Sequence, residues 1–313
     1  LSVETNRLET LNTVLDGLMR RYRERVADVE GVIQAMIRAG LIANAGEIEN
    51  DHIAFRTMGV PKLGVSSLEK IFLHLGYVKR DRYEFKTKKL NAWWYAPPAP
   101  QFPRVFISEL RVGELSDESG RIIRSYTDEV TSDPVDAIDL DDGLAIDRFL
   151  HRPLWRTPVL ADYLRLEQES EYAAWVIYNR YYLNHFTVSV HHLPDGFNTI
   201  DQFNVFLEAN GFQLNDSGGK AKKSGDGLLI QSSTVAQIVD AVFDDGSGGE
   251  VLHQIAGSYV EFAERREMPQ PDASSPADPG RKNRRDGFEA TNADKIFEST
   301  WSDQTKRKQK PES

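Results

Sequence analysis

A chain of 313 residues, 40 % hydrophobic and 27 % charged, has the profile of a soluble globular protein of one large or two smaller domains. Its net charge of −10 speaks against a nucleic-acid binder that works by phosphate attraction. The absence of cysteine excludes disulfides, thiolate metal sites and cysteine nucleophiles, so any metal must sit among His, Asp and Glu, a donor set suited to Fe, Mn, Zn or Mg.

No apolar run approaches the roughly 18 residues needed to span a membrane, and no signal peptide is recognisable. The chain starts at Leu1 rather than Met, which is compatible with removal of a leader.

Residues 1–50 read as an N-terminal helical segment. Leu8, Leu11, Leu15, Leu18 and Tyr22 recur at helical steps, as do Val29, Ile33, Met36 and Ile37. The basic run Arg20-Arg21-Tyr22-Arg23-Glu24-Arg25 is expected on a solvated helix face.

Residues 51–112 form a first module. Asp51-His52-Ile53-Ala54-Phe55-Arg56-Thr57 alternates polar and apolar residues, the signature of a strand with His52, Ala54 and Arg56 on one face. An amphipathic helix over residues 68–77 follows, stopped by Gly76. Three further strands are expected over 77–85, 90–95 and 104–110. Trp93 and Trp94 read as core in preference to a cleft lining.

Residues 113–183 are a partly helical connector. Its six aspartates between 133 and 147 lack the glycine and terminal glutamate of an EF-hand loop, and a solvated loop with helix caps is expected instead of a calcium site. Residues 158–182 read as helix.

Residues 184–265 repeat the first module. Asn184-His185-Phe186-Thr187-Val188-Ser189-Val190 matches its opening strand, and the helix over 203–212 stops at Gly211. The histidine-to-glycine spacing is 24 residues in one copy and 26 in the other, close enough to imply duplication. Later strands are expected over 227–234 and 257–264, with flexible loops over 215–227 and 244–250. The fold class is therefore α+β: two βαβββ modules forming a central curved sheet, with an added helical segment and connector.

Residues 266–313 form a tail, Pro-, Ser-, Asp- and Gly-rich over 267–283. Residues 281–313 carry nine Lys/Arg against six Asp/Glu. A short helix near 292–300 is expected, capped by Asn292 and carrying Ile296 and Phe297, while 302–313 reads as a disordered end.

Two histidines heading equivalent strands can meet if the modules pair their sheets about a pseudo-twofold axis. Period-two alternation puts Tyr259, Glu261 and Ala263 on one face, so Glu261 can supply a third metal ligand. Two imidazoles and a carboxylate leave open positions, as in non-heme Fe(II) oxygenases. Glu109, in the matching strand of the first module, is the rival carboxylate. Arg56 suits a substrate carboxylate, Gln231, Ser232 and Ser233 can donate hydrogen bonds, and the amides near Asn292 suit an anion. No metal role is assigned to His74, His151, His191, His192 or His253.

The repeated module, the order His52, His185, Glu261, and the segments Asn50-Asp51-His52-Ile53-Ala54-Phe55-Arg56-Thr57, Asn184-His185-Phe186-Thr187, Tyr259-Val260-Glu261-Phe262-Ala263-Glu264-Arg265 and Ala293-Asp294-Lys295-Ile296-Phe297-Glu298-Ser299-Thr300 resemble the vicinal oxygen chelate superfamily, and within it the 2-oxoadipate dioxygenase/decarboxylase family. That family is similar to hydroxymandelate synthase, and this chain looks like its plant, plastid-located members. The resemblance implies Fe(II) on His52, His185 and Glu261, Arg56 as the carboxylate-recognising residue, and backbone around Thr291 and Asn292 closing over substrate. It implies conversion of 2-oxoadipate and O2 to D-2-hydroxyglutarate and CO2 in lysine catabolism, with no nucleic-acid or membrane partner. It also implies a plastid location, or a cytoplasmic one outside plants. Competing readings are a glyoxalase-like isomerase or ring-cleaving dioxygenase on the same fold, and a non-catalytic plastid interaction protein.

Overall fold

The structure, a computed structural model, describes residues 3–269 and 283–308. Helices α1 (Val3–Arg25) and α2 (Ala27–Arg38) bury the periodic residues Leu11, Val14, Leu18, Tyr22, Val29 and Met36. The basic run is only partly solvated, because Arg21 turns inward to pair with the buried Asp147 at 3.0 Å.

The first module is β1 (Asn50–Met58), α3 (Val65–His74), β2 (Val78–Phe85), β3 (Leu90–Ala96) and β4 (Arg104–Leu110). The connector holds α4 (Asp117–Thr127), α5 (Gly143–His151), α6 (Leu160–Glu169) and α7 (Glu171–Asn179). Its aspartates act as caps and ion-pair partners: Asp142 accepts from the Leu144 and Ala145 amides at the start of α5, and Asp133 binds Lys70.

The second module is β5 (His185–Ser189), α8 (Ile200–Ala209), β6 (Lys222–Lys223), β7 (Leu229–Ser233), a β8 (Ile238–Asp244) and β9 (Glu250–Ala256) hairpin, and β10 (Tyr259–Arg265). The hairpin forms its own two-stranded sheet, and the expected loop over 244–250 is its turn. Helices α9 (Ala290–Phe297) and α10 (Ser302–Lys308) complete the chain.

Gly76 (φ +93°) and Gly211 (φ +83°) close α3 and α8 in the left-handed region, where a Cβ would be strained. The next amide then reaches back in the same way in both copies, Tyr77 to Phe72 O at 2.9 Å and Phe212 to Leu207 O at 3.0 Å.

The main sheet has the order β2-β3-β4-β1-β5-β10-β7-β6. β1 runs parallel to β4 and β5 parallel to β10, while β1 and β5 join the halves antiparallel. Ala54 pairs with His185 and Ile53 with Phe186, so a pseudo-twofold axis between these strands carries His52 onto His185. The parallel registers extend the equivalence. His52 pairs with Arg104 and His185 with Tyr259, so Phe106 corresponds to Glu261 and Glu109 to Glu264. One face of the sheet packs on α3 and α8, through Phe55–Phe72 and Phe203–Phe262 ring contacts. The other face lines a cavity closed by α9.

Two expectations for the tail change. Residues 302–308 are helical, because Glu171 accepts from the Ser302 amide and hydroxyl at 2.6 and 3.1 Å and anchors the first turn of α10. The helix expected from 292 starts at Ala290, so Asn292 lies inside it and caps nothing. Most of the Pro/Ser-rich stretch (270–282) and residues 309–313 lie outside the described residues.

Candidate metal centre

His52, His185 and Glu261 meet at the junction of β1, β5 and β10, all buried, with one ligand atom from each within 4.8 Å of the others. The two Nε2 atoms are 3.4 Å apart, and Glu261 approaches His52 Nε2 at 3.4 Å and His185 Nε2 at 3.0 Å. Donors bound at right angles to one ion, with bonds near 2.1 Å, would lie about 3.0 Å apart, so this triangle has the right size.

Hydrogen bonding sets the histidine tautomers. His52 Nδ1 faces Asp51 Oδ2 at 2.9 Å, and His185 Nδ1 faces Asn184 Oδ1 at 3.0 Å. Each Nδ1 therefore carries the proton, and each Nε2 turns a lone pair to the centre. Two imidazole lone pairs and a carboxylate converge where, among the described residues, the Thr187 hydroxyl, 3.0 Å from His52 Nε2, and the Gln231 amide, 2.6 Å from Glu261 Oε1, can donate. A buried cluster of acceptors of this kind calls for a cation. Burial works against the Glu261 charge, yet the two histidines hold its carboxyl well below the usual range. Burial also pulls both imidazoles down; for His52 the Glu261 and Asp51 carboxylates outweigh it and the net shift is upward, whereas His185 remains lowered.

Asp51 is itself held by charge. Arg265 grips it through Nε at 2.7 Å and Nη2 at 2.9 Å, and Arg104 Nη1 adds a third contact at 3.3 Å. Burial raises the Asp51 carboxyl, but the two guanidinium groups bring it well below its ordinary value. Arg265 also donates to the carbonyls of Arg285 and Gly287, and Arg104 to Asp286. The same cluster thus pins the segment that carries Phe288, whose ring lies edge-on to His52 at 4.8 Å.

A cavity of ≈ 360 Å³, counting its mouth, runs from the triad to Arg56 between Phe106, Phe288, Ile296 and Phe297. Arg56 is buried among the rings of Tyr172, Trp175 and Phe297. Nη1 donates to Thr300 Oγ1 and Nη2 to Phe297 O, while Nε has no partner and no carboxylate pairs with the group among the described residues. Burial lowers its pKa, so the site would favour an arriving anion.

A family model described as 2-oxoadipate dioxygenase/decarboxylase matches residues 14–274. The chain belongs to this family. The chloroplastic/amyloplastic 2-oxoadipate dioxygenase/decarboxylase of Oryza sativa subsp. japonica is 40 % identical over 95 % of this chain and 80 % of its own length. The chloroplastic Arabidopsis thaliana protein of the same name is 43 % identical over 82 % of this chain and 70 % of its own. The crystal structure of the Oryza sativa hydroxyglutarate synthase in complex with 2-oxoadipate superimposes with a TM-score of 0.83 at 39 % identity, covering 98 % of this chain and 96 % of that one. The α+β, vicinal-oxygen-chelate-like architecture expected from the repeat is the fold of this 2-oxoadipate dioxygenase/decarboxylase family member.

In this family member, four residues singled out in the sequence, His52, His185, Glu261 and Arg56, line one cavity together with Gln231. Others lie elsewhere. Ser232 points to the opposite sheet face and donates to Asn204 of α8 at 2.7 Å, as the alternation of β7 requires once Gln231 faces inward. Thr291 is exposed on α9. Asn292 is buried and donates to Gln231 Oε1 at 3.1 Å, so it reaches Glu261 only through Gln231. Glu109 clamps the start of α3, accepting from Val65 N at 2.9 Å, and its equivalent Glu264 accepts from Ile200 N of α8 at 2.8 Å.

His74 and His192 pair with Asp141 and Glu49, His151 pairs with Asp147, His191 accepts from the Arg265 amide, and His253 packs by Tyr163; none joins the triad. Sequence reasoning gave no role to Asp51 and Asn184. The signal was present: each histidine of the triad is preceded by a side chain with a carboxyl or amide oxygen.

Proposed function

We propose that this chain catalyses the Fe(II)-dependent conversion of 2-oxoadipate and O2 to D-2-hydroxyglutarate and CO2. The atoms balance without an external reductant. Bound Fe(II) would supply a Lewis-acidic, redox-active centre for a 2-oxo acid and dioxygen. His52, His185 and Glu261 would hold it, Asp51 and Asn184 would fix the imidazole orientations, and Gln231 would keep Glu261 turned inward. Arg56 would take the carboxylate remote from the metal. A substrate lacking that group would leave a buried guanidinium unpaired, at a cost of roughly 2–5 kcal/mol. Phe106, Phe288 and Phe297 would keep water from the reacting carbons.

The observation that carries this reading is the pairing, across one cavity, of a buried three-acceptor cluster with an arginine that has no carboxylate partner among the described residues. The test is metal analysis with oxygen uptake and CO2 release, after anaerobic Fe(II) loading and admission of air with 2-oxoadipate. Wild type should hold near-stoichiometric iron and His185→Ala almost none. Iron-loaded wild type that consumes no oxygen with 2-oxoadipate would sink the proposal. A plastid location is proposed from the two plastid relatives, and a fluorescent fusion of the protein as encoded that stays outside plastids would reject it.

A further inference from the structure

Arg56 alone does not complete the far end of the cavity. Each Nη spends one N–H, on Thr300 and on the Phe297 carbonyl, and Nε makes no hydrogen bond at all. Beside it stands a second buried donor in the same condition. The Tyr259 side chain is 1 % exposed, lines the cavity, and its hydroxyl has no hydrogen-bond partner. The Arg56 guanidinium and the Ser299 hydroxyl lie close enough to interact with that hydroxyl but make no well-formed hydrogen bond to it, and a guanidinium can only donate, so the Tyr259 O–H proton stays free for a ligand. Ser299 is committed elsewhere, donating to Ile296 O and receiving from Asn215.

A buried hydroxyl with no partner costs free energy, and such groups are retained where a ligand or water satisfies them. The Tyr259 backbone is fixed by pairing with His185 and by the Tyr22 hydroxyl, which donates to the Tyr259 carbonyl. Its ring stacks on His185, with centroids 4.7 Å apart at 28°. The phenol ring is therefore held in place, with its hydroxyl turned into the cavity. The other unpartnered donor lining the cavity, Asn184 Nδ2, belongs to an amide whose oxygen is tied to His185 at the metal end.

We propose that Tyr259 and Arg56 together form the subsite for the remote carboxylate of a 2-oxo dicarboxylic acid, the Tyr259 hydroxyl donating to one oxygen and the Arg56 Nε–H to the other. Tyr259 thereby becomes a substrate-binding, specificity-determining residue, and its ring keeps a separate duty as the platform beneath His185. The inference rests on the reading of the site given above and adds to it the second donor that separates dicarboxylates from monocarboxylates.

Tyr259→Phe removes the hydroxyl and keeps the ring. The experiment compares wild type and this variant, both Fe(II)-loaded, in anaerobic titrations with 2-oxoadipate and with the six-carbon 2-oxo acid that ends in a methyl group, followed by steady-state kinetics. Loss of one hydrogen bond to a charged group should weaken 2-oxoadipate binding and raise KM by about 10- to 100-fold. Iron content and affinity for the methyl-ended acid should stay within about twofold, so the preference for the dicarboxylate shrinks. Equal affinities of variant and wild type for 2-oxoadipate would overturn the assignment, and so would an equal loss on both acids, which marks a structural effect. Wild type that does not bind 2-oxoadipate would remove the underlying reading itself. Wild type that binds it while the variant is unaffected removes only the role of Tyr259.

Discussion

The Asp51 carboxylate joins three parts of the molecule, and Asp51→Asn tests all three at once. In the wild type it accepts from Arg265 at 2.7 and 2.9 Å, from Arg104 at 3.3 Å and from His52 Nδ1 at 2.9 Å, with the Asp51 and Arg265 side chains 1 % and 2 % exposed. An asparagine keeps one acceptor oxygen and turns an NH2 group toward donors on every side. Two buried guanidinium groups then lose the carboxylate that lies between them. Breaking one side of a buried ion pair costs roughly 3–5 kcal/mol. For a chain of this size that is a fall in Tm on the order of 5–10 °C. The second consequence is specific to the metal. Without the carboxylate on Nδ1, His52 loses the group that fixes its tautomer and raises its basicity, and Fe(II) affinity should fall about 10–100-fold. Thermal unfolding of metal-free protein reads the first effect. Anaerobic metal titration, with the added stabilisation by metal, reads the second. An unchanged metal-free Tm would refute the buried-charge argument. A lowered Tm with unaltered metal affinity would reduce Asp51 to an ion-pair partner.

Glu109→Gln and Glu264→Gln should each lower stability by about 0.5–2 kcal/mol, from weaker clamping of α3 and α8, and leave metal content untouched; an iron-free Glu109→Gln protein would contradict the equivalence of these two residues. Lys222 supplies a pH test outside the triad itself. Burial lowers its ammonium to about 8 against the pull of Asp216 and Glu261, and among the described residues Nζ donates to the carbonyls of Asn215 and Lys220. An unfolded lysine titrates near 10.4, so between about pH 8 and 10 the unfolded chain binds the extra proton and wild-type stability gains from rising pH, by up to roughly 3 kcal/mol. Lys222→Met should lack this gain, and urea unfolding at pH 7, 8.5 and 10 that keeps the two proteins a constant distance apart would reject the assignment.

What could be read in advance follows from how local each signal is. The strand of His52 and its copy at His185 carry alternation within seven residues, and the stops at Gly76 and Gly211 follow from left-handed backbone that a single residue must adopt. The β8–β9 hairpin and α10 were missed for opposite reasons. The hairpin is an insertion that breaks the repeat and forms a two-stranded sheet of its own, tied to the connector by a bridge between Asp244 and Val159. The helix is polar along its length and is held by Glu171, a residue 131 positions away, as well as by burial of Gln304 and Thr305. Asn292 has the residue type of a cap, but a helix start depends on where the preceding chain turns, and here Arg265 and Arg104 set that turn through Arg285, Asp286 and Gly287. Ser232 illustrates the strength of period two: once Gln231 faces Glu261, its neighbour must face α8.

The duplication supplies a scaffold, and the site lies in its departures from symmetry. Both halves retain a histidine with an oxygen-bearing residue before it, a glutamate clamping the module helix and a glycine stop. The carboxylate position is filled once: Glu261 in the second half, Phe106 in the first. A second carboxylate there would add like charge to a buried centre and take up room where Phe106 now packs against Phe288 and Phe297. The position of Arg56 corresponds to Ser189, so the cation is also single. The Asp51, Arg265, Arg104 and Asp286 cluster is neutral on its own. With the proposed metal bound, the cavity has a cation at each end, and a 2-oxo dicarboxylate carries a carboxylate for both. A monocarboxylate bound at the metal would leave the buried Arg56 guanidinium without a counter-charge among the rings of Tyr172, Trp175 and Phe297, where unbalanced charge is least tolerated.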